Sequence, residues 1–253
     1  MQTRPRNRPI YTTEELRLAY NALYEHSELT QMESYYLWIL SLLSPMPGKR
    51  FLDVACGRGG LIQVAKKKGW RIYGVDLSDI AVRSANIRLG TTLAIVADGE
   101  SLPFPNNTFE FVANLGSIEH YLHPDRGIAE IARVLSPTGK ACILLPNSYS
   151  LLENIWRVLL TGDVGDQGQP VERYATRAQW ERMLFENGLD VYKTVRYNFP
   201  FPRTIRDWWW YLKHPRKLLW LAVSLFVPLN LSSCFVFLCR VRDKDSKTGE
   251  KIK

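Results

Sequence analysis

Two short stretches of this 253-residue sequence carry side chains whose types and spacing could do chemistry. The first reads Phe51-Leu52-Asp53-Val54-Ala55-Cys56-Gly57-Arg58-Gly59-Gly60, and the second reads Tyr73-Gly74-Val75-Asp76-Leu77-Ser78. An apolar run enters a glycine-rich turn that opens a helix, and an acidic residue closes the next apolar run 19 positions after Gly57. Glycines let the backbone approach a ligand, while a carboxylate after a second strand can accept hydrogen bonds from two ribose hydroxyls. The same letters also suit a tight strand-to-helix turn followed by a surface aspartate, so Gly57-x-Gly59 alone decides little.

Two neighbouring positions sharpen the choice of ligand. A nicotinamide dinucleotide calls for Gly or Ala three positions beyond Gly59, where Ile62 stands, and this argues against a pyrophosphate packed on the helix. Asp53, four positions before Gly57, suits a ligand bearing an ammonium and a sulfonium better than it suits a phosphate. The ligand implied is S-adenosylmethionine.

The elements that must position these residues follow from periodicity. Strand-length apolar runs occur at 50–55, 71–75, 93–97, 109–114 and 141–145, with helix-like segments at 61–68, 79–89 and 127–135. Such alternation predicts a parallel sheet covered on both faces. Before it, 12–43 reads as helices, with Thr12 or Thr13 as cap, Leu16, Ala19, Tyr20 and Leu23 at helical spacing, and a second helix over 32–43 stopped by Pro45 and Pro47. After it come a polar loop at 161–170, a helix near 176–187 closed by Gly188, and a strand over 189–197. The 22 uncharged residues 218–239 are long enough to span a bilayer, but Pro228, Asn230, Ser232 and Ser233 interrupt them. A helix, a turn and a strand are expected there instead.

The composition, 46% apolar and 23% charged, is that of an ordinary globular chain and excludes disorder. Cys56, Cys142, Cys234 and Cys239 form no Cys-x-x-Cys pair, so neither a disulfide scaffold nor a metal site is expected. The start has no apolar stretch behind Arg4, Arg6 and Arg8, which predicts a cytoplasmic chain. Most of the net charge of +8 sits in residues 1–10 and 240–253, and a nucleic-acid groove is not demanded.

The motifs, in this order, resemble the class I S-adenosylmethionine-dependent methyltransferases, and in particular the branch acting on ubiquinone, menaquinone and sterol precursors. The resemblance covers about 47–148 and includes Ala97-Asp98-Gly99-Glu100-Ser101-Leu102-Pro103-Phe104, Phe109 through Tyr121, and Leu135-Ser136-Pro137-Thr138-Gly139-Lys140 as a turn before strand five. It implies an α/β, Rossmann-like fold with a seven-stranded, mostly parallel sheet, an antiparallel last strand and helices on both faces. A helical N-terminal cap would span 1–45 and the cofactor-binding core 46–198. An insertion at 199–232, a last strand at 233–242 and a charged tail at 243–253 would complete the chain. It assigns Asp53, Gly57 and Gly59 to the methionine end of the cofactor, Asp76 to the ribose, and Leu77 to the adenine face. Asp98, Gly99 and Glu100 fall to the adenine edge, and the backbone of Asn114, Leu115 and Gly116 to the sulfonium. The sequence departs from the family at Ala55-Cys56, where Gly-Cys is frequent, and at Gly99-Glu100, where Ala-Glu is frequent.

The family keeps acceptor-facing residues after strand four, where Glu119, His120, Tyr121 and His123 make the densest titratable group. His120 is the candidate base because imidazole is neutral enough near pH 7 to take a proton, with Glu119 beside it. Alternatively His120 only binds backbone and His123, before Pro124, lies on the surface. The expected activity moves a methyl group to a small lipophilic or membrane-associated acceptor, preferably at oxygen, leaving S-adenosylhomocysteine. Nitrogen or carbon transfer, RNA methylation and a non-catalytic cofactor-binding role stay open. RNA finds little support, because the place of an Asn-Pro-Pro-Tyr word reads Asn114-Leu115-Gly116-Ser117. The insertion mixes Trp208, Trp209, Trp210 and Tyr211 with Arg203, Arg206, Lys213, Arg216 and Lys217. That composition suits a lid, a peripheral membrane contact or stacking on single-stranded nucleic acid. Oligomeric state is not legible.

Overall fold

Strands whose residues are apolar on both faces must be covered on both faces, and this rule organises the chain. The computed structural model describes residues 12–27, 29–44, 46–163 and 168–243. The two basic ends and Pro45, which figured in the sequence expectations, lie wholly or largely outside those residues. Helices α1 (Thr13–His26) and α2 (Glu33–Leu43) precede β1 (Phe51–Val54), α3 (Gly60–Lys67), β2 (Ile72–Asp76), α4 (Asp79–Leu89) and β3 (Ala94–Val96). Then follow β4 (Phe109–Leu115), α5 (Pro124–Val134), β5 (Leu135–Pro146), α6 (Trp156–Thr161), α7 (Arg177–Glu186) and β6 (Leu189–Tyr197). The chain closes with α8 (Ile205–Lys213), α9 (Pro215–Ser224) and β7 (Cys234–Val241).

The sheet order is β3-β2-β1-β4-β5-β7-β6, parallel except for β7, which runs antiparallel to both β5 and β6. This is the expected seven-stranded sheet with an antiparallel last strand. All four residues of β1 are buried: Phe51 meets a layer with Leu40, Leu43 and Ile62, while Leu52 meets one with Val112, Ile131 and Trp180 on the other face. Each such buried side chain contributes roughly 1.5–3 kcal/mol, so the sheet is held from both sides.

One expectation needed correction, and one element was not anticipated. The turn expected at 136–140 is a bulge within β5, whose pairing with β4 jumps from Leu135 opposite Phe109 to Lys140 opposite Phe111. Gly139 is required there, since a Cβ would lie 2.7 Å from the Leu135 side chain. Residues 151–161, which carried no helix expectation, form a π-helical turn running into α6. By contrast 215–241 is the expected helix, short turn and strand, and among the described residues no helix is long and apolar enough to cross a membrane.

Candidate cofactor and acceptor site

Strand register places the chemistry along one edge of the sheet. Val54 pairs with Val75 and Asn114, and Asp76 with Val96, so the turns after β1, β2, β3 and β4 all open at the carboxyl ends of parallel strands. A crevice at that edge is where open α/β sheets receive ligands.

The glycine turn has the backbone its sequence implies. Gly57 and Gly59 have φ of +53° and +74°, and a Cβ on Gly59 would lie 3.1 Å from Ala85 Cβ, which lets α3 pack against α4. Ala55 shares the left-handed region at φ +59°, a strain that glycine would not carry. Ala55→Gly should raise the stability of the protein by about 1 kcal/mol, read as a higher melting temperature with cofactor affinity unchanged.

Asp76 is buried at the end of β2. One carboxylate oxygen accepts the Gly57 N–H at 2.8 Å and the other the Ser78 N–H at 2.9 Å. Each oxygen keeps a lone pair for a hydroxyl, so the side chain fixes the turn and still presents a clamp for a diol. Burial lifts its pKa to about 6 against those two hydrogen bonds, leaving it mostly ionised at pH 7. Asp53 is also buried, and burial first, then the charge of Asp76, pushes its pKa well above the carboxylate range.

The other predicted residues divide by role. Asp98 accepts the Glu100 N–H at 2.8 Å through one oxygen, which shapes the adenine-side loop. Glu100 instead accepts the His123 N–H at 3.0 Å, so this carboxylate braces the loop against the start of α5. Gly99 gives room to Tyr121, whose hydroxyl would lie 2.1 Å from a Cβ there. Leu77 is half-buried beside the β2 turn. Asn114 is buried, its amide donating to Tyr121 Oη at 3.1 Å, while its Oδ1 has no partner among the described residues. Leu115 leads into Gly116, at φ +78°, where a Cβ would lie 3.5 Å from Glu119 Oε1.

Glu119 and His120 are both buried and face each other, with Nε2 3.7 Å from Glu119 Oε1. His120 Nδ1 lies 2.5 Å from the Val171 carbonyl, which can only accept, so Nδ1 carries the hydrogen and Nε2 the lone pair. Burial lowers the pKa of His120 and raises that of Glu119 to about 8. Among the described residues Glu119 Oε2 has no partner. His123 is exposed, as its surface alternative anticipated.

Sequence reasoning missed the roof over this edge. Tyr20 and Tyr24 stand four apart on one face of α1, a spacing visible in the sequence, and Tyr24 Oη would lie 2.9 Å from a Cβ on Gly57. Burial raises the pKa of Tyr20, helped by the nearby acids Glu119 and Asp76. Asn21 holds Ser78 Oγ at 2.7 Å and Asp79 at 2.6 Å, while Arg58 donates to Ser84 Oγ at 3.0 Å and to the Tyr24 carbonyl. These bonds latch α1 across the glycine turn.

The residues fit S-adenosylmethionine. The edge gathers three buried carboxyls with raised pKa values, Asp53, Asp76 and Glu119, and two orphaned acceptors, Asn114 Oδ1 and Glu119 Oε2. The turn's own guanidinium, Arg58, is occupied elsewhere. A ligand with an ammonium and a ribose diol matches such acceptors, and the ionised Asp76 would repel a pyrophosphate.

Comparison with known proteins agrees over the same stretch. A family model described as a methyltransferase domain matches residues 52–143. The ubiquinone/menaquinone biosynthesis C-methyltransferase UbiE of Bordetella avium is 37% identical over 105 residues, 39% of this chain and 41% of that one. The chain spans less than half the length of the curated relatives it matches. Among solved structures, the cyclase SpnF aligns at a TM-score of 0.63 and 19% identity over 92% of this chain and 98% of its own. Phosphoethanolamine N-methyltransferase 2 of Haemonchus contortus, solved with S-adenosylmethionine, aligns at 0.59 and 21% over 94% and 59%. Residues 52–143 thus match a methyltransferase-domain family, and the chain shares the Rossmann-like fold of these solved structures, as the motifs led one to expect.

Proposed function

We propose that this chain transfers a methyl group from S-adenosylmethionine to a small lipophilic acceptor, at an oxygen atom. The observation that carries the reading is the buried carboxylate of Asp76, held between Gly57 N–H and Ser78 N–H beside a crevice lined with further acids. When bound, S-adenosylmethionine supplies an already activated methyl group. The chain is left to bind, align and deprotonate. Asp76 and Asp98 hold the two ends of the nucleoside, Asp53 offers an acceptor oxygen to the cofactor's ammonium, and the tyrosines of α1 exclude water above the glycine turn.

His120 takes the acceptor's proton at Nε2, the nitrogen left free by the Val171 carbonyl. A hydroxyl acceptor needs such a base at neutral pH, and this supports oxygen. Carbon is the second reading, favoured by the relatives named as C-methyltransferases. Proton removal from an activated ring would use the same imidazole.

An acceptor screen with methyl-labelled cofactor and a panel of phenols, quinols and fatty acids tests the reading. The label should enter phenols or quinols as a methoxy group, identified by mass spectrometry. A carbon-bound methyl supports the second reading. Labelling of RNA alone, or of nothing despite tight cofactor binding, would refute both.

A further inference from the structure

The register of the last strands sets where the insertion leaves the sheet. Tyr197 pairs with Cys234, and Cys234 with Pro146, so 198–233 emerges at the same edge as the glycine turn. Its helices α8 and α9 turn inward through Asp207 and Tyr211, and through Leu221 and Ser224. Asp207 anchors them to α2, accepting the Ser34 N–H at 2.8 Å and the Ser34 hydroxyl.

The outward faces are the reverse of what a helix packed in water presents. On α8, Ile205, Trp209 and Leu212 follow at i, i+4 and i+7 and are 79%, 60% and 57% exposed. On α9, Leu219 and Val223, continued by Phe226 just beyond the helix, repeat that spacing at 64%, 40% and 85%. Interleaved with these stripes are the exposed cations Arg203, Arg206, Lys213, Arg216 and Lys217. Among the described residues none of these five side chains has a carboxylate partner. Asp207, the one acid in 199–232, is buried against Ser34, so the outward charge of the insertion is entirely positive. A cleft of about 850 Å³ flanks the stripe on the side of α2 and α3, lined in part by Lys67, Arg206, Trp209, Trp210 and Lys213.

We infer that the α8–α9 pair is a membrane-docking surface that lies on an anionic lipid leaflet. The apolar stripes enter the acyl boundary, the indoles sit at headgroup depth, and the unpaired cations meet lipid phosphates. Charge complementarity selects this occupant over a protein core: an internal lid would leave five desolvated cations without partners, whereas an anionic leaflet supplies them. The inference goes beyond the methyl-transfer reading and does not depend on it.

Flotation of the full chain with vesicles, without cofactor, tests it. The protein should float with phosphatidylcholine mixed with phosphatidylglycerol, stay behind with phosphatidylcholine alone, and be released by salt. Leu219→Glu with Phe226→Glu, and separately Arg216→Glu with Lys217→Glu, should each lower partitioning about tenfold or more. These positions are exposed, so melting temperature and calorimetric cofactor affinity should stay at the unmodified values, which keeps a folding defect or a failed cofactor site distinct from a failed surface. Equal flotation of both variants and the unmodified chain would overturn the inference. So would capture by single-stranded RNA without vesicle binding.

Discussion

Replacing Asp76 with alanine should lower the affinity for S-adenosylmethionine by about a hundredfold or more, measured by titration calorimetry. The figure follows from losing two charge-assisted hydrogen bonds to a diol, each about 1.5–3 kcal/mol, against a loss of about 1.4 kcal/mol per factor of ten. The same change strands two backbone donors, Gly57 N–H and Ser78 N–H, so the turn should also loosen and the melting temperature fall. Asp76→Asn separates the two effects, because an amide oxygen can still accept one of those N–H groups but brings no charge. It should restore part of the stability and little of the affinity. The unmodified protein carries a pH signature. A hydroxyl donates to the ionised carboxylate, and burial places that ionisation at about 6, so affinity is full above that value. Below it, affinity should fall by about tenfold per pH unit. Equal affinity in the alanine variant, or affinity flat from pH 7 to 5, would remove Asp76 from the ribose.

What the sequence revealed and what it hid divide along a physical line. The strand, glycine turn, helix and second-strand acid are local: Gly57, Gly59 and Asp76 declare a backbone conformation and a charge within a few residues of where they act. The neighbours that complete the site are not local. Tyr20 and Tyr24 read as part of an apolar helical face, and only the crossing of α1 over the glycine turn, fixed by Asn21 and Arg58, turns that face into a roof. The Val171 carbonyl that sets the tautomer of His120 lies 51 residues away and has no side-chain signal at all. The helix at 151–161 was hidden for another reason. Its polar residues Glu153, Asn154 and Arg157 interrupt the apolar run of Leu151, Leu152, Ile155, Trp156, Val158, Leu159 and Leu160, and a π-helical first turn breaks the 3.6-residue period that would have marked it. Ala55 is hidden differently again, since a left-handed backbone under a residue with a Cβ is strain, and strain is not written in residue type.

His120→Ala should reduce kcat by about a hundredfold to ten-thousandfold while leaving cofactor affinity unchanged, because its ring works on the acceptor's proton and is not one of the groups assigned to the nucleoside. The buried pair predicts the shape of the pH profile as well. Burial holds the pKa of His120 below the ordinary 6.5, so the base is neutral at pH 7 and activity should fall only as the pH drops below that value. Glu119, raised to about 8, is a neutral acid at pH 7 and ionises above that point, placing a negative charge 3.7 Å from Nε2. That charge strengthens the imidazole as a base, so kcat should step upward near pH 8. Glu119→Gln keeps the shape and removes the ionisation: the acid limb should persist and the upper step vanish. A purely structural histidine would show neither limb, and full turnover in His120→Ala would remove the imidazole from the proton transfer.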